Sequence, residues 1–155
     1  MTRGRERPLT EGTPRGGRYS RLADIHTGNV GELEQVWVYQ HGDYFDAVLP
    51  GFNGTSSETT PILVDGRLVF TTPTNRVIAL DPESGEELWT FDPEVSRFEW
   101  YAMWTNRGVA AWYGGPDHAC APDVFLTTLD ARLIALNART GERCPGFADV
   151  KLREG

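Results

Sequence analysis

The sequence predicts an all-β protein, a β-propeller fragment of about two four-stranded blades. Three observations point there. The stretch Thr71–Phe91, TTPTNRVIALDPESGEELWTF, recurs at Thr127–Phe147 as TTLDARLIALNARTGERCPGF, an offset of 56 residues from Arg76 to Arg132. Each copy carries β-branched and apolar residues in runs of strand length, Val69-Phe70 and Val77–Leu80 in the first, bounded by Gly, Pro, Asn and Asp. Asp65-Gly66 stands between two such runs, and that dipeptide favours the left-handed backbone angles of a tight two-residue hairpin. A unit of this size cannot bury its own apolar face and must pack on the next copy.

Taken in order, residues 1–15 read as a basic, solvated arm and residues 16–58 as a lead-in. Within the lead-in, Leu33–Tyr39 (LEQVWVY) predicts a strand with Trp37 in the outer-strand position. It has no blade of its own here. In closed propellers an N-terminal strand completes the last blade and so removes both sheet edges. The first blade is expected over residues 59–92, with Ile62–Val64 pairing with Leu68–Thr71 across Asp65-Gly66. Gly85 then lets the Asp81–Gly85 hairpin close, which brings in an outer strand of Leu88, Trp89 and Phe91 whose indole packs on the neighbouring unit. Residues 93–106, PEVSRFEWYAMWTN, have no clean period of two or 3.6 and predict a loop. Its Phe98, Trp100, Tyr101 and Trp104 are expected to cover something, as hydrophobic packing or as a ligand surface. The second blade is expected over residues 107–155, with Asn137, Thr140 and Gly141 repeating the hairpin of the first.

Composition narrows the functional classes. Hydrophobic residues make up 39 % and charged residues 24 %, near the globular norm, and no apolar run approaches the ~20 residues that span a bilayer. A net charge of −7 argues against binding nucleic acid through its phosphates, despite Arg3, Arg5, Arg7, Arg15, Arg18 and Arg21 near the start. No GxSxG elbow and no phosphate-cradling glycine loop occurs, which disfavours the enzyme classes built on them. His26, His41 and His118 are scattered without metal-ligand spacing. Met1–Pro14 contains no apolar signal-peptide core, and two blades of a radial array leave faces and edges bare. A piece of a longer reading frame, prone to self-association when alone, is therefore expected.

Four motifs follow one another in the chain: GGRYSRLADIHTGNVGELEQVWVYQHGD, SSETTPILVDGRLVFTTPTNRVIALDPESGEELWTFDP, NRGVAAW and VFLTTLDARLIALNARTGERCPGF. This succession, covering nearly all of Gly16–Gly155, resembles the N-terminal part of the PQQ-dependent quinoprotein dehydrogenases, and within them the membrane glucose and quinate dehydrogenase branch. The resemblance implies an eight-bladed propeller with pyrroloquinoline quinone and calcium on its axis. It further implies oxidation of a sugar or alcohol, electron transfer to a membrane quinone or a cytochrome, and a periplasmic location associated with the inner membrane.

Two residues carry over by position. Glu58, before the TPIL strand, matches the family's glutamate at the cofactor pocket, and Arg107 matches the arginine of its RG motif. The chemistry suits them, because the cofactor bears three carboxylates and a guanidinium offers paired donors that fit a carboxylate. A solvated loop carboxylate and a surface ion-pair partner are the plain alternatives. The family's calcium ligands and proposed general base lie in later blades, so no catalytic and no metal-binding residue is assigned here. Asp43, Asp65, Glu99 and Asp130 fall in none of its motifs, and these residues alone should not turn over. Where the alcohol and methanol dehydrogenases have vicinal cysteines, this chain has Tyr101–Asn106. Cys120 and Cys144 match cysteines of the glucose-type branch, and both a disulfide and two free thiols are compatible with the sequence. A non-catalytic scaffold propeller is the second reading. Glu58, Arg107 and the GGRYSRL and NVGELEQVW lead-in speak against it.

Overall fold

The computed structural model describes residues 22–46, 54–114, 118, 120–147 and 149–151. The predicted basic arm over 1–15 lies outside these residues. After a single 3₁₀ turn at Val30–Glu32, two antiparallel meanders follow. The first comprises β1 (Ile62–Val64), β2 (Arg67–Thr71), β3 (Val77–Leu80) and β4 (Glu87–Phe91) in the order β1-β2-β3-β4. The second comprises β5 (Ala110–Trp112), β6 (Asp123–Thr127), β7 (Arg132–Asn137) and β8 (Val150–Lys151) in the order β5-β6-β7-β8. Two four-stranded sheets of this kind are consistent with two propeller blades.

The turns sit where their residues demand. Asp65 and Gly66 take φ 48° and 76°, the two left-handed positions of a type I′ hairpin, and Ile62 pairs with Val69 across it. Between the sheets lies one apolar core, in which Ile62, Val69, Val77 and Trp89 of the first meet Val124, Leu126, Ile134 and Leu136 of the second. Neither sheet could bury that face alone.

A repeated clamp locks successive units. The Trp89 ring lies over Gly141, so closely that a Cβ there would come within 2.5 Å of it, and its indole N–H donates to the Ala138 carbonyl at 3.1 Å. Trp37 does the same to the first blade: a Cβ on Gly85 would meet its ring at 2.6 Å, and its indole donates to Pro82 O at 3.3 Å. Arginine supplies the second half of the clamp. Arg76 donates to the carbonyl of His41, and Arg132 donates to that of Pro93 at 2.7 Å. Trp37 and Trp89 are 52 residues apart, as are His41 and Pro93, so each unit grips the end of the one before it by the same two contacts.

Four expectations need correction or completion. Leu33–Tyr39 is not a strand: it has no ladder partner among the described residues, and Val36 is 83 % exposed. Trp37 and Tyr39 nevertheless pack on Phe70, Ile78 and Leu80, so the segment lies against the first blade without joining its ladder. The second blade's outer strand does not repeat the first. Pro145 stands 56 residues after Trp89, and without an N–H it cannot extend the ladder. Only an isolated bridge from Leu136 to Arg143 remains there, and β8 pairs further along, with Leu133 opposite Val150. In the aromatic loop, Trp104 is buried against Phe45 and Tyr101, whereas Phe98 and Trp100 are exposed. Cys120 and Cys144 are joined as a disulfide, with Cα atoms 5.6 Å apart, which settles what the sequence left open.

Candidate functional site

Two connecting segments build the site at one end of the sheets. Residues 54–60 run beside 104–108: Ser56 N–H donates to Trp104 O at 2.9 Å, Thr55 bridges Trp104 in parallel, and Thr60 N–H donates to Arg107 O at 3.3 Å. Gly108 is required at this crossing. At φ +123° a Cβ would lie 3.1 Å from the Thr60 carbonyl, in a backbone region that L residues rarely adopt. Asn106 fixes the turn from its other side, accepting from Gly108 N–H at 3.0 Å and donating to Thr127 O at 2.9 Å.

That frame brings the two sequence-predicted residues together. Arg107 Nε lies 3.5 Å from Glu58 Oε2, while Ser56 donates to Glu58 Oε1 at 3.2 Å. The Arg107 side chain is 86 % exposed and that of Glu58 35 %. In such an exposed setting the ion pair contributes little to stability. Beyond Glu58, no other partner of the Arg107 guanidinium is found among the described residues.

Arg107 forms part of a cavity of about 270 Å³ between the two blades, lined also by Asn75, Thr105, Asn106, Gly108 and Thr127–Leu129. Sequence reasoning did not single out Asn75, Thr105 or Asn106. Asn75 is fully buried at φ 71°, and its Oδ1 accepts from Leu129 N–H at 2.7 Å, which ties the inner turns of the two blades. The only sequence signal for it was the departure of TPTN from TLDA inside the repeat. Thr105 Oγ1 is buried at the cavity without a hydrogen-bond partner among the described residues.

The carboxylates that fell in no motif turn out to be structural. Asp43 accepts from Arg76 Nε and Thr74 Oγ1, each at 2.7 Å. Burial pushes its carboxyl up, but the Arg76 guanidinium and the threonine hydroxyls outweigh this and hold it below its ordinary 3.8. Asp130 has the same balance against Arg132 and Thr128. Asp65 pairs with Arg139 at 2.6 Å across the blades, and Glu99 accepts from Tyr101. Burial, with the nearby Glu99 charge, pushes the Tyr101 phenol up to about 12. Among the described residues, the one grouping of three potential metal ligands is Cys120, Asp123 and Cys144. It is not an oxygen-rich cage of the kind calcium takes.

Residues 8–154 match the family described as PQQ: Glucose/ethanol/alcohol dehydrogenase, beta-propeller domain. The chain belongs to this family. Within the quinoprotein dehydrogenases it is 36 % identical over 141 residues to the quinoprotein glucose dehydrogenase of Escherichia coli (strain K12), covering 86 % of this chain and 18 % of that protein. It is 43 % identical over 131 residues to the 1-butanol dehydrogenase (cytochrome c) of Thauera butanivorans, covering 83 % and 16 %. Among solved structures, the quinohemoprotein alcohol dehydrogenase from Comamonas testosteroni superposes with a TM-score of 0.75 at 29 % identity, covering 97 % of this chain and 20 % of that one. The chain thus spans under one fifth of the length of these curated relatives.

Proposed function

We propose that this chain is the part of a quinoprotein dehydrogenase that supplies one wall of the pyrroloquinoline quinone site, with Arg107 and Glu58 as its cofactor contacts. The observation that carries this reading is the Arg107 guanidinium, presented at an inter-blade cavity with Glu58 on its Nε and no other partner among the described residues. Its remaining N–H donors match a carboxylate of the cofactor in a two-pronged bond. Glu58 holds the guanidinium in place, and its other oxygen is oriented by Ser56. A cavity of about 270 Å³ falls short of a complete ligand pocket, so the remaining walls belong to other blades.

When bound, the quinone supplies the two-electron acceptor for oxidation of a sugar or alcohol. The protein's task on this side is to bind and orient it, while calcium ligands and general base come from blades beyond this chain. Electrons then pass to a quinone or cytochrome, in keeping with a periplasmic, inner-membrane setting for the complete protein. The glucose and quinate branch is favoured by Tyr101–Asn106, which holds no vicinal cysteine pair, and by the Cys120–Cys144 disulfide.

The test is made on the complete protein. Arg107→Ala should weaken binding of added pyrroloquinoline quinone by about 1.5–3 kcal/mol, the worth of a charge-assisted hydrogen bond, with little effect on folding. Unchanged affinity in an intact fold would remove Arg107 from the site and favour a scaffold propeller of the same repeat type.

A further inference from the structure

The second blade holds a cluster that strand packing does not explain. Cys120, Asp123 and Cys144 are 3 %, 2 % and 5 % exposed, and one potential ligand atom from each lies within 4.8 Å of the others. Asp123 Oδ2 is engaged by His118 Nε2 at 2.7 Å, and the His118 ring stands edge-on to Trp112 with centroids 4.8 Å apart. Asp123 Oδ1 is buried and has no hydrogen-bond partner among the described residues. A buried carboxylate oxygen without donor or cation is unfavourable, and native structures rarely leave one unexplained.

The geometry points to a latent zinc site of the reduced chain, formed by Cys120 Sγ, Cys144 Sγ and Asp123 Oδ1, with a water in the fourth position. Zinc takes thiolates at about 2.3 Å and carboxylate oxygens at about 2.0–2.2 Å in a tetrahedron, which sets ligand atoms roughly 3.5–3.8 Å apart. The cluster needs only small movements to reach that. His118 acts here as a positioning residue: it fixes the carboxylate from behind, the outer-shell arrangement common at zinc sites. Two thiolates also select zinc over calcium or magnesium, which prefer all-oxygen cages.

The disulfide shown in the structure closes this site, and two electrons open it. With a phosphine reductant the sulfur–sulfur bond breaks, water supplies the oxygen of the phosphine oxide, and its two hydrogens leave both sulfurs as thiols. Zinc binding then releases two protons from the thiols while the carboxylate remains ionised. Oxidation and metal binding are thus mutually exclusive states of one pair of sulfurs.

The experiment uses the full chain, either oxidised or reduced with a phosphine that is then removed under anaerobic conditions. Titration with zinc, and with cobalt as the spectroscopic probe, should give one metal per reduced chain, a thiolate-to-cobalt absorption band and none in the oxidised chain. Asp123→Asn should weaken binding about tenfold or more, and His118→Gln by a smaller factor. Zinc should also shield both thiols of the unaltered chain from alkylation, a readout that survives even where a variant fails to fold. Equal metal uptake by oxidised and reduced chains, or alkylation undiminished by zinc, would overturn the site. A folded Asp123→Asn chain that binds zinc as tightly would remove the carboxylate from it.

Discussion

Asp43 shows how a residue with no motif of its own can hold a fold. It lies in the lead-in yet reaches Thr74 and Arg76 of the first blade, and the same Arg76 grips the His41 carbonyl beside it. Because its folded carboxyl is held below 3.8, its contribution is present in full above the ordinary carboxylate range and is lost as pH falls through the depressed value. The urea midpoint of the chain should therefore hold steady from neutral pH down to about pH 5 and drop below about pH 4. Asp43→Asn should lower the neutral-pH midpoint and flatten that acid limb; a limb unchanged in the variant would place the titrating group elsewhere. The sequence displayed Asp43 and Arg76 but not their meeting, since the two are 33 residues apart and pair only through the fold. Glu58 and Arg107 could be singled out because each sits in a recognisable motif, and the fold brings them within 3.5 Å, whereas Asn75 and Thr105 are ordinary residues that only burial brings to notice.

At the level of the element, glycine and tryptophan form the reading key. Gly66 and Gly141 have nearly the same left-handed backbone, φ 76° and 73°, but open space surrounds the first and the Trp89 ring covers the second. Gly66→Ala should cost only the backbone penalty, roughly 1–2 kcal/mol. Gly141→Ala should add the overpacking cost of a methyl forced into an indole, about 1–3 kcal/mol more. Denaturant unfolding of the two variants checks the order, and equal losses would mean that the ring moves aside freely. The hairpins of the first blade were legible because their chemistry is local: turn residues, alternation and strand length lie within a few residues of one another. The second blade's outer strand misled because the repeat invites the reader to copy it, while Pro145 and the displaced β8 say otherwise. The predicted strand at Leu33–Tyr39 failed for another reason, since a strand is defined by a neighbour and none pairs with it among the described residues.

Across the whole molecule, the two sheets bury the face between them, while apolar side chains of the lead-in and of the connecting loop stay exposed. Leu33, Val36, Val38, Phe98 and Trp100 are all more than half exposed. The isolated chain should accordingly self-associate, with a sedimentation coefficient that rises with concentration, and the double change Val36→Lys, Val38→Lys should reduce that rise. A concentration-independent value in the unaltered chain would show that these surfaces are not sticky as they stand. The Trp37–Gly85 and Trp89–Gly141 contacts have a further meaning for how such a molecule grows. In both contacts the ring stands in one unit and the glycine it covers stands in the next. A gene duplication cut between ring and glycine therefore copies a joint and not a panel, so a new copy arrives already carrying the means to dock on its predecessor. Where Pro145 takes the place of the ring, that inheritance stops.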